Sequence, residues 1–539
     1  MATPLSYEQG SSTPALLETT IGTNLADTAT IFADCDALVD VTAGRRWTYA
    51  EFLADVRRLA AGLLRAGIAT GDRIGVWAPN RWEWVLVQYA AAEIGAILVS
   101  INPAYRAREL TYALRQSGVV MVIAAPGFKD ADYAAMLAET APDCPELRDV
   151  VLMGSQRWAE LAEADADAAR LQAIAATLVS TDPVNIQYTS GTTGYPKGVT
   201  LSHRNILNNG YLVGELLDYT ETDRICIPVP FYHCFGLVLG NLAATSHGAC
   251  MVIPAPGFDP GATLRAVQDE RCTSLYGVPT MFIAELALPE FDAYRLDSLR
   301  TGIMAGATCP VEVMRKVIER MHMPGVSICY GMTETSPVAT QTRTDDPLER
   351  RVETVGRVGP HLEIKMVDPA GATVPRGVAG EFCTRGYSVM SGYWNEPDKT
   401  AEVLDADGWM HTGDLASMDA EGYVRITGRI KDIVVRGGEN ISPREIEEFL
   451  HTHPDVVDGH VIGVPDERYG EELMAVVKLR EGSAELTVER LREFCLGRIA
   501  RFKIPRYVWI VDEFPMTVTG KVRKVEMRAQ AIEYLAGEQ

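Results

Sequence analysis

Apolar residues recur at helical spacing from Phe52 through Leu53, Val56, Leu59 and Leu63 to Leu64, a stripe that predicts an amphipathic helix. Thr48, with Glu51 three residues on, forms a capping box that sets its start. The period then changes. RIGVWAP reads as a short strand, RWEWVLVQYAAAEIGA as a helix and AILVSI as a second strand. A helix over Ala107–Gln116 and a strand at VVMVIAA follow. Strands and helices alternating in this way predict an α/β fold with largely parallel sheets.

Residues 159–177, AELAEADADAARLQAIAAT, are rich in Ala and acid and predict one solvated surface helix. Past Thr427 the character shifts. GRIKDIVVRGGENISP (428–443) reads as a Gly- and charge-rich connector, and REIEEFLHTHPDV as a short helix with Pro443 in its first turn. The remainder alternates helix and strand again and predicts a separate small α+β domain. The expected division is a large N-terminal domain of several subdomains over residues 1–428 and a C-terminal domain over 429–539. No internal repeat is visible.

Composition narrows the picture only a little. The 539 residues suffice for several domains, and 47% apolar with 23% charged residues suits a packed globular chain. A net charge of -22 excludes general nucleic-acid binding, which needs a basic face, but leaves small anionic ligands open. The first residues, MATPLSYEQGSSTP, have neither a basic nor an apolar signal region, and the most apolar stretch is interrupted at Glu93. No transmembrane segment is expected. The ten cysteines form no C-x-x-C pair and predict buried reduced thiols in a cytoplasmic protein.

The candidate chemistry begins at residues 187–200, QYTSGTTGYPKGVT. A phosphate loop of the nucleotide-hydrolase kind needs a Gly before its Lys and a hydroxyl after it. Here Pro196 precedes Lys197 and Gly198 follows, so that motif is broken. The phosphate-cradling physics survives. Thr189, Ser190, Thr192 and Thr193 supply hydroxyls, Gly191 and Gly194 let backbone N–H groups approach an anion, and Lys197 adds a point charge.

Four further stretches follow in order: YGMTET (330–335), GWMHTGD (408–414), GRIKD (428–432) and TVTGKVRK (517–524). With them the chain resembles the adenylate-forming superfamily of acyl-CoA synthetases, luciferases and peptide-synthetase adenylation domains. SHRNILNN, PFYHCFG, YGVPTMF, VMSGYW and RGGENISPREIE are most similar to fatty acyl-CoA synthetases, in particular to the acyl-CoA synthetase family member 2 group associated with medium-chain acids.

The resemblance implies a two-step ligase that uses ATP, Mg²⁺ and CoA. A carboxylate attacks the α-phosphorus of ATP to give acyl-AMP and pyrophosphate, and the CoA thiol then displaces AMP. By this resemblance the Thr189–Lys197 loop grips the β- and γ-phosphates, and Glu334 ligates Mg²⁺. Asp414 accepts the ribose hydroxyls, and Arg429 contacts ribose or phosphate. Tyr330 and Gly331 lie near adenine, Thr333 bonds the α-phosphate, and Gly306, Ala307 and Thr308 form a small-residue strand beside adenine and the acyl chain. Lys521 bridges the attacking carboxylate and the α-phosphate. Between the steps a mobile C-terminal lid turns about a hinge at Lys431, within 429–432, and Gly437, Gly438 and Glu439 then line the CoA channel.

The implied acyl pocket comprises His233, Phe235, Gly236, Val278, Met281, Phe282 and Gly331. His233 is equally compatible with a hydrogen-bonded core role. No acidic partner for an α-amine stands in PFYHCFG, which favours an apolar acid. HTHP (451–454) has no third metal ligand nearby in sequence, and no G-x-S-x-G nucleophile elbow is present. The competing readings are an acyl-AMP ligase that loads a phosphopantetheine carrier, an aryl-acid CoA ligase, and a degenerate adenylate-binding protein. The intact set of Lys197, Glu334, Asp414, Arg429 and Lys521 weighs against the last. Peripheral membrane contact and a homodimer stay open.

Overall fold

The computed structural model describes residues 4–189, 196–307, 309–437, 439–516 and 522–537. They divide into two compact units. The larger comprises Glu8–Ile364 and Thr384–Met410, the other Met1–Tyr7, Lys365–Cys383 and His411–Gln539. A boundary between 428 and 429 falls inside the second unit.

In the larger unit the capped helix is Tyr49–Arg65. Thr48 accepts from the Glu51 N–H, and the Glu51 carboxylate accepts from the Thr48 N–H at 2.9 Å. Its stripe of Phe52, Val56, Leu59 and Leu63 is fully buried, so Phe52→Ala would cost about 3–5 kcal/mol of stability. The helix Trp82–Glu93 is buried from Glu83 to Glu93, as the sparse polarity of its sequence requires. Glu83 and Glu93 are matched by Arg81 and Arg57.

A seven-stranded sheet runs in the order Gly392–Tyr393, Lys197–Ser202, Pro183–Thr189, Ile97–Ser100, Arg73–Trp77, Val119–Ala124 and Asp149–Leu152. Its last five strands are parallel. All six residues of VVMVIA are buried, the signature of a parallel strand covered on both faces. A nine-stranded sheet holds Gly325–Gly331, Thr301–Ala305, Ser274–Gly277, Arg224–Cys226, Cys250–Ile253 and Asp36–Asp40 in parallel, with antiparallel strands at both ends.

In the second unit Met410–Met418 and Val424–Arg429 form a hairpin beside Gly380–Gly386. Beyond it, a sheet runs Glu439–Ile441, Val434–Arg436, Gly470–Leu479, Val456–Asp466, with Tyr507–Ile510 parallel to Gly470–Leu479. Strand alternation sends Leu473, Ala475 and Val477 to one core, with Ile446 and Leu450, and Met474 and Val476 to another, with Met527 and Ala531. This is the expected α+β arrangement.

Two local expectations are corrected. Residues 159–177 are not one helix: Gln156–Ala162 ends, and Asp167 caps a second helix, Ala168–Ala175, by accepting from the Arg170 N–H. An Asp among alanines starts a new helix more readily than it continues an old one. The stretch 428–443 is not a plain connector, because it contains the hairpin Val434–Arg436 with Glu439–Ile441. All ten cysteines are free, and only Cys35 and Cys309 are less than fully buried. Among the described residues no helix is long and apolar enough to cross a membrane.

Candidate functional site

Strands Pro183–Thr189 and Lys197–Ser202 are antiparallel, with Thr189 opposite Lys197, so the chain after Pro196 continues as a strand and not as a helix. Ser190, Gly191, Thr192, Thr193 and Gly194 lie outside the described residues, as do Thr308, Gly438 and Lys521. Pro196 accepts from the Tyr112 hydroxyl at 3.1 Å, which fixes the return of the loop.

Strand Lys197–Ser202 pairs with Gly392–Tyr393 on its other side, Val199 opposite Tyr393, and the Trp394 N–H donates to Gly198. This brings the Tyr393 ring within 4.6 Å of the Lys197 ammonium, a cation over an aromatic face. The Tyr393 hydroxyl donates to Glu334 Oε1 at 2.9 Å. Burial, reinforced by the Glu334 charge, raises the Tyr393 phenol far above its ordinary range, so it acts as a donor throughout. Glu334 is itself buried. It sits in the turn Thr333–Thr335, pinned where its backbone carbonyl accepts from the Met390 N–H.

Tyr393 escaped the sequence reasoning, although VMSGYW was singled out. Its role follows from an edge-strand pairing that links positions far apart in the chain.

The small residues sit at the carboxyl ends of parallel strands, where open α/β sheets offer a crevice. Val278 follows Ser274–Gly277, Gly306 follows Thr301–Ala305, and Gly331 ends Gly325–Gly331. Gly306 adopts φ +91°, and a Cβ there would lie 3.1 Å from Val278 Cγ1. A Cβ on Gly331 would lie 1.8 Å from the Pro337 carbonyl oxygen, which excludes every other residue. Gly306, Ala307 and Gly331 are exposed, and Tyr330 is half-buried opposite Thr340.

His233 Nδ1 accepts from the Phe235 N–H at 3.1 Å, which leaves the proton of the neutral ring on Nε2. Cys234 Sγ lies 3.8 Å from Thr333 Oγ1 and ties this corner to the GMTE turn. Phe235, Val278 and Met281 share one apolar cluster with Tyr276, Ala305 and Cys329. Phe282 does not join them. It is fully buried in a second cluster with Cys226, Leu275 and Met304, a core position. Gly236 has a packing duty as well, since a Cβ there would stand 2.4 Å from the Pro230 carbonyl.

In the second unit Asp414 and Arg429 are direct partners across a hairpin, Arg429 Nε donating to Asp414 Oδ1 at 2.6 Å. Asp414 is buried, whereas the Arg429 side chain is 59% exposed. Lys431 is exposed in the short turn Ile430–Asp432. Arg436 pairs with Glu439 across the RGGE turn, and Gly437 adopts φ +59° against the Tyr469 ring.

The second unit also holds a charged group that no motif announced. Glu447 accepts an ion pair from Lys524 at 2.7 Å and faces His460 at 3.8 Å, while His460 lies 3.6 Å from Asp458. Burial alone would raise Glu447, but the His460 and Lys524 partners outweigh it and hold it at about 2. Burial alone would lower His460, but Asp458 and Glu447 hold it at about 9.

Known proteins resemble the chain over nearly its whole length. The AMP-binding enzyme family matches residues 25–394, and the AMP-binding enzyme C-terminal domain matches 445–521. YngI of Bacillus subtilis (strain 168), provisionally named an acyl-CoA synthetase, is 48% identical over 96% of this chain and 98% of its own. The mitochondrial medium-chain acyl-CoA ligase ACSF2 of Danio rerio is 44% identical over 98% of this chain and 91% of its own. Among solved structures, the anthranilate CoA ligase AuaEII in complex with anthranoyl-AMP superposes with a TM-score of 0.86 at 26% identity, covering 96% of this chain and 98% of that one.

Proposed function

The chain belongs to the AMP-binding enzyme family, and from that premise we propose that it is an ATP-dependent fatty acyl-CoA ligase acting on a medium- to long-chain acid. ATP and CoA are the substrates of AMP-forming ligases. The observation that carries the reading is the group of Lys197, Tyr393 and Glu334, a cation and an oriented carboxylate. The first step brings two anions together, so fixed positive charge and orientation are its main requirements.

In this reading Lys197 and the tip, Thr189 with residues 190–194, hold the departing pyrophosphate. A carboxylate oxygen forms a bond to the α-phosphorus as the bond to the β-phosphate oxygen breaks. Lys521 bridges the two reacting anions, Thr333 bonds the α-phosphate, and Tyr330 lies along adenine. Asp414 accepts the ribose hydroxyls and Arg429 contacts ribose or phosphate. Glu334 suits Mg²⁺, because a buried carboxylate held on one oxygen by a phenol is the hard oxygen donor this ion takes together with phosphate. The ion would offset phosphate charge. In the second step the CoA sulfur bonds to the acyl carbon, AMP leaves with the oxygen, and the thiol proton passes to solvent. Turning about Lys431 would exchange Lys521 for Gly437, Gly438 and Glu439 at the reaction.

Phe235, Val278 and Met281 make an apolar lining suited to an alkyl tail. The zebrafish relative is a medium-chain ligase by name, which supports the same acid class. AuaEII, an anthranilate ligase, supports an aromatic acid as the second reading. We place the reaction in the cytoplasm.

The test is CoA-dependent AMP release across acetate, medium-chain, long-chain and aromatic acids, with a carrier protein replacing CoA in a parallel arm. Highest turnover with a medium- or long-chain acid and CoA is expected. Preference for an aromatic acid establishes the second reading, and activity with the carrier alone overturns CoA as acceptor. Absence of pyrophosphate exchange with every acid would leave only an adenylate-binding protein.

A further inference from the structure

Glu381, Cys383 and His411 stand on the neighbouring strands Gly380–Gly386 and Met410–Met418. Glu381 and Cys383 are two residues apart and point to the same face. Their donor atoms and that of His411 all lie within 4.8 Å of one another, the one such grouping of three His, Cys, Asp or Glu side chains among the described residues. His411 Nδ1 is 2.9 Å from Glu381 Oε2 and 3.5 Å from Cys383 Sγ. One imidazole nitrogen therefore faces a carboxylate and a sulfur together.

We propose that these three residues form a binding site for one thiophilic divalent cation of the zinc class. Nitrogen, sulfur and carboxylate oxygen are the donor set such an ion selects, and three protein ligands leave a fourth position for water. Metal–ligand bonds of about 2.0–2.3 Å in tetrahedral geometry put donors about 3.3–3.7 Å apart. The sulfur and nitrogen already stand at that separation, and the nitrogen and oxygen must part by only about 0.4 Å to reach it. The cation would bind Nδ1 of the neutral ring, whose single proton moves to Nε2, and would displace the Sγ proton to solvent, and the thiolate and carboxylate would balance its charge. Cys383 is buried while Glu381 and His411 are half-buried, so entry is from their side.

Occupancy would reach the hairpin of Asp414. Glu381 Oε1 also accepts from the Gly413 N–H at 3.1 Å, and Gly413, at φ +71°, immediately precedes Asp414. A cation that draws Glu381 toward Cys383 weakens this hold on the turn. The site is thereby an inhibitory one, a consequence that rests on the part proposed for Asp414 in holding ATP, whereas the binding itself does not.

The test titrates metal-stripped full-length protein, reduced with a phosphine and free of nucleotide, with Zn²⁺ alone in equilibrium dialysis. One equivalent should bind to the unaltered chain, and Cys383→Ser and His411→Gln should each weaken it by about tenfold or more. Co²⁺ in place of Zn²⁺ should give thiolate-to-metal charge-transfer absorption that is absent from Cys383→Ser. His411 is half-exposed, so His411→Gln retains a folded reference should the buried cysteine variant fail to fold. Equal affinity in the unaltered chain and His411→Gln, or no thiolate band, overturns the site. Zn²⁺ should also slow CoA-dependent AMP release in the unaltered chain and not in His411→Gln. Binding without slowing overturns the coupling to Asp414 alone.

Discussion

Asp414 and Arg429 meet across one hairpin, 15 residues apart, whereas the Lys197–Tyr393–Glu334 group joins three stretches, with Tyr393 and Glu334 alone 59 apart. In the hairpin, strand register delivers the partners, a buried carboxylate and a guanidinium that stays largely exposed. The guanidinium can turn to solvent, as the ribose-binding part proposed for Asp414 requires. In the larger unit the carboxylate is buried too, but its phenol partner is buried with it, and losing that hydrogen bond costs about 1–3 kcal/mol. The short-range pair is easily remade and the long-range group is preorganised, a division of labour that suits recognition in one place and charge stabilisation in the other.

The comparison breaks most readily at Lys521. Lys521→Ala should lower acyl-adenylate formation by about 1000-fold, while thioester formation from supplied acyl-AMP stays near normal. Equal loss in both half-reactions would contradict separate duties for the C-terminal residues.

Glu334→Gln should lower pyrophosphate exchange by about 100-fold, and Tyr393→Phe by about tenfold, the scale of one hydrogen bond to a charged group. Both should need more Mg²⁺ for half-maximal rate. Because Tyr393 acts through Glu334, the double variant should be little worse than Glu334→Gln. Additive losses would show that the phenol does not work through the carboxylate.

Asp414→Asn, by contrast, should raise the KM for ATP by about tenfold with a smaller change in kcat, as expected of a binding group. A loss confined to kcat would move Asp414 from recognition to chemistry.

The smallest effect concerns pH. His460 is raised from 6.5 to about 9 in the folded chain, so its contribution is full below pH 6.5 and fades as pH rises through 9. Glu447, lowered from 4.5 to about 2, contributes above pH 4.5 and loses that as pH falls toward 2. Hydrogen-exchange protection of Val456–Asp466 should therefore decline between pH 6.5 and 9, after correction for intrinsic exchange. In His460→Gln that decline should vanish, and an unchanged decline would assign it to other groups.

The family motifs were legible because each is local, while the parts proposed for their residues rest on the resemblance. The capping box at Thr48 and the all-apolar strand at VVMVIAA each follow from residue types a few positions apart. Phe282 lies in the second core cluster and Gly236 has a packing duty, because apolarity and smallness serve core packing and a binding wall alike. The single helix expected over 159–177 failed because an acidic cap and an acidic interior look the same in composition.

What the sequence determined by itself is the period of the long elements such as Tyr49–Arg65 and Val119–Ala124, the motifs that place the chain in its family, and the apolar faces that demand burial. Tertiary structure alone decided that Tyr393 orients Glu334, that Phe282 faces the other core, and that Glu381, Cys383 and His411 converge. Those contacts depend on which strand lies beside which. Pairing between strands distant in the chain is selected by the packing of the whole sheet, which no local pattern carries.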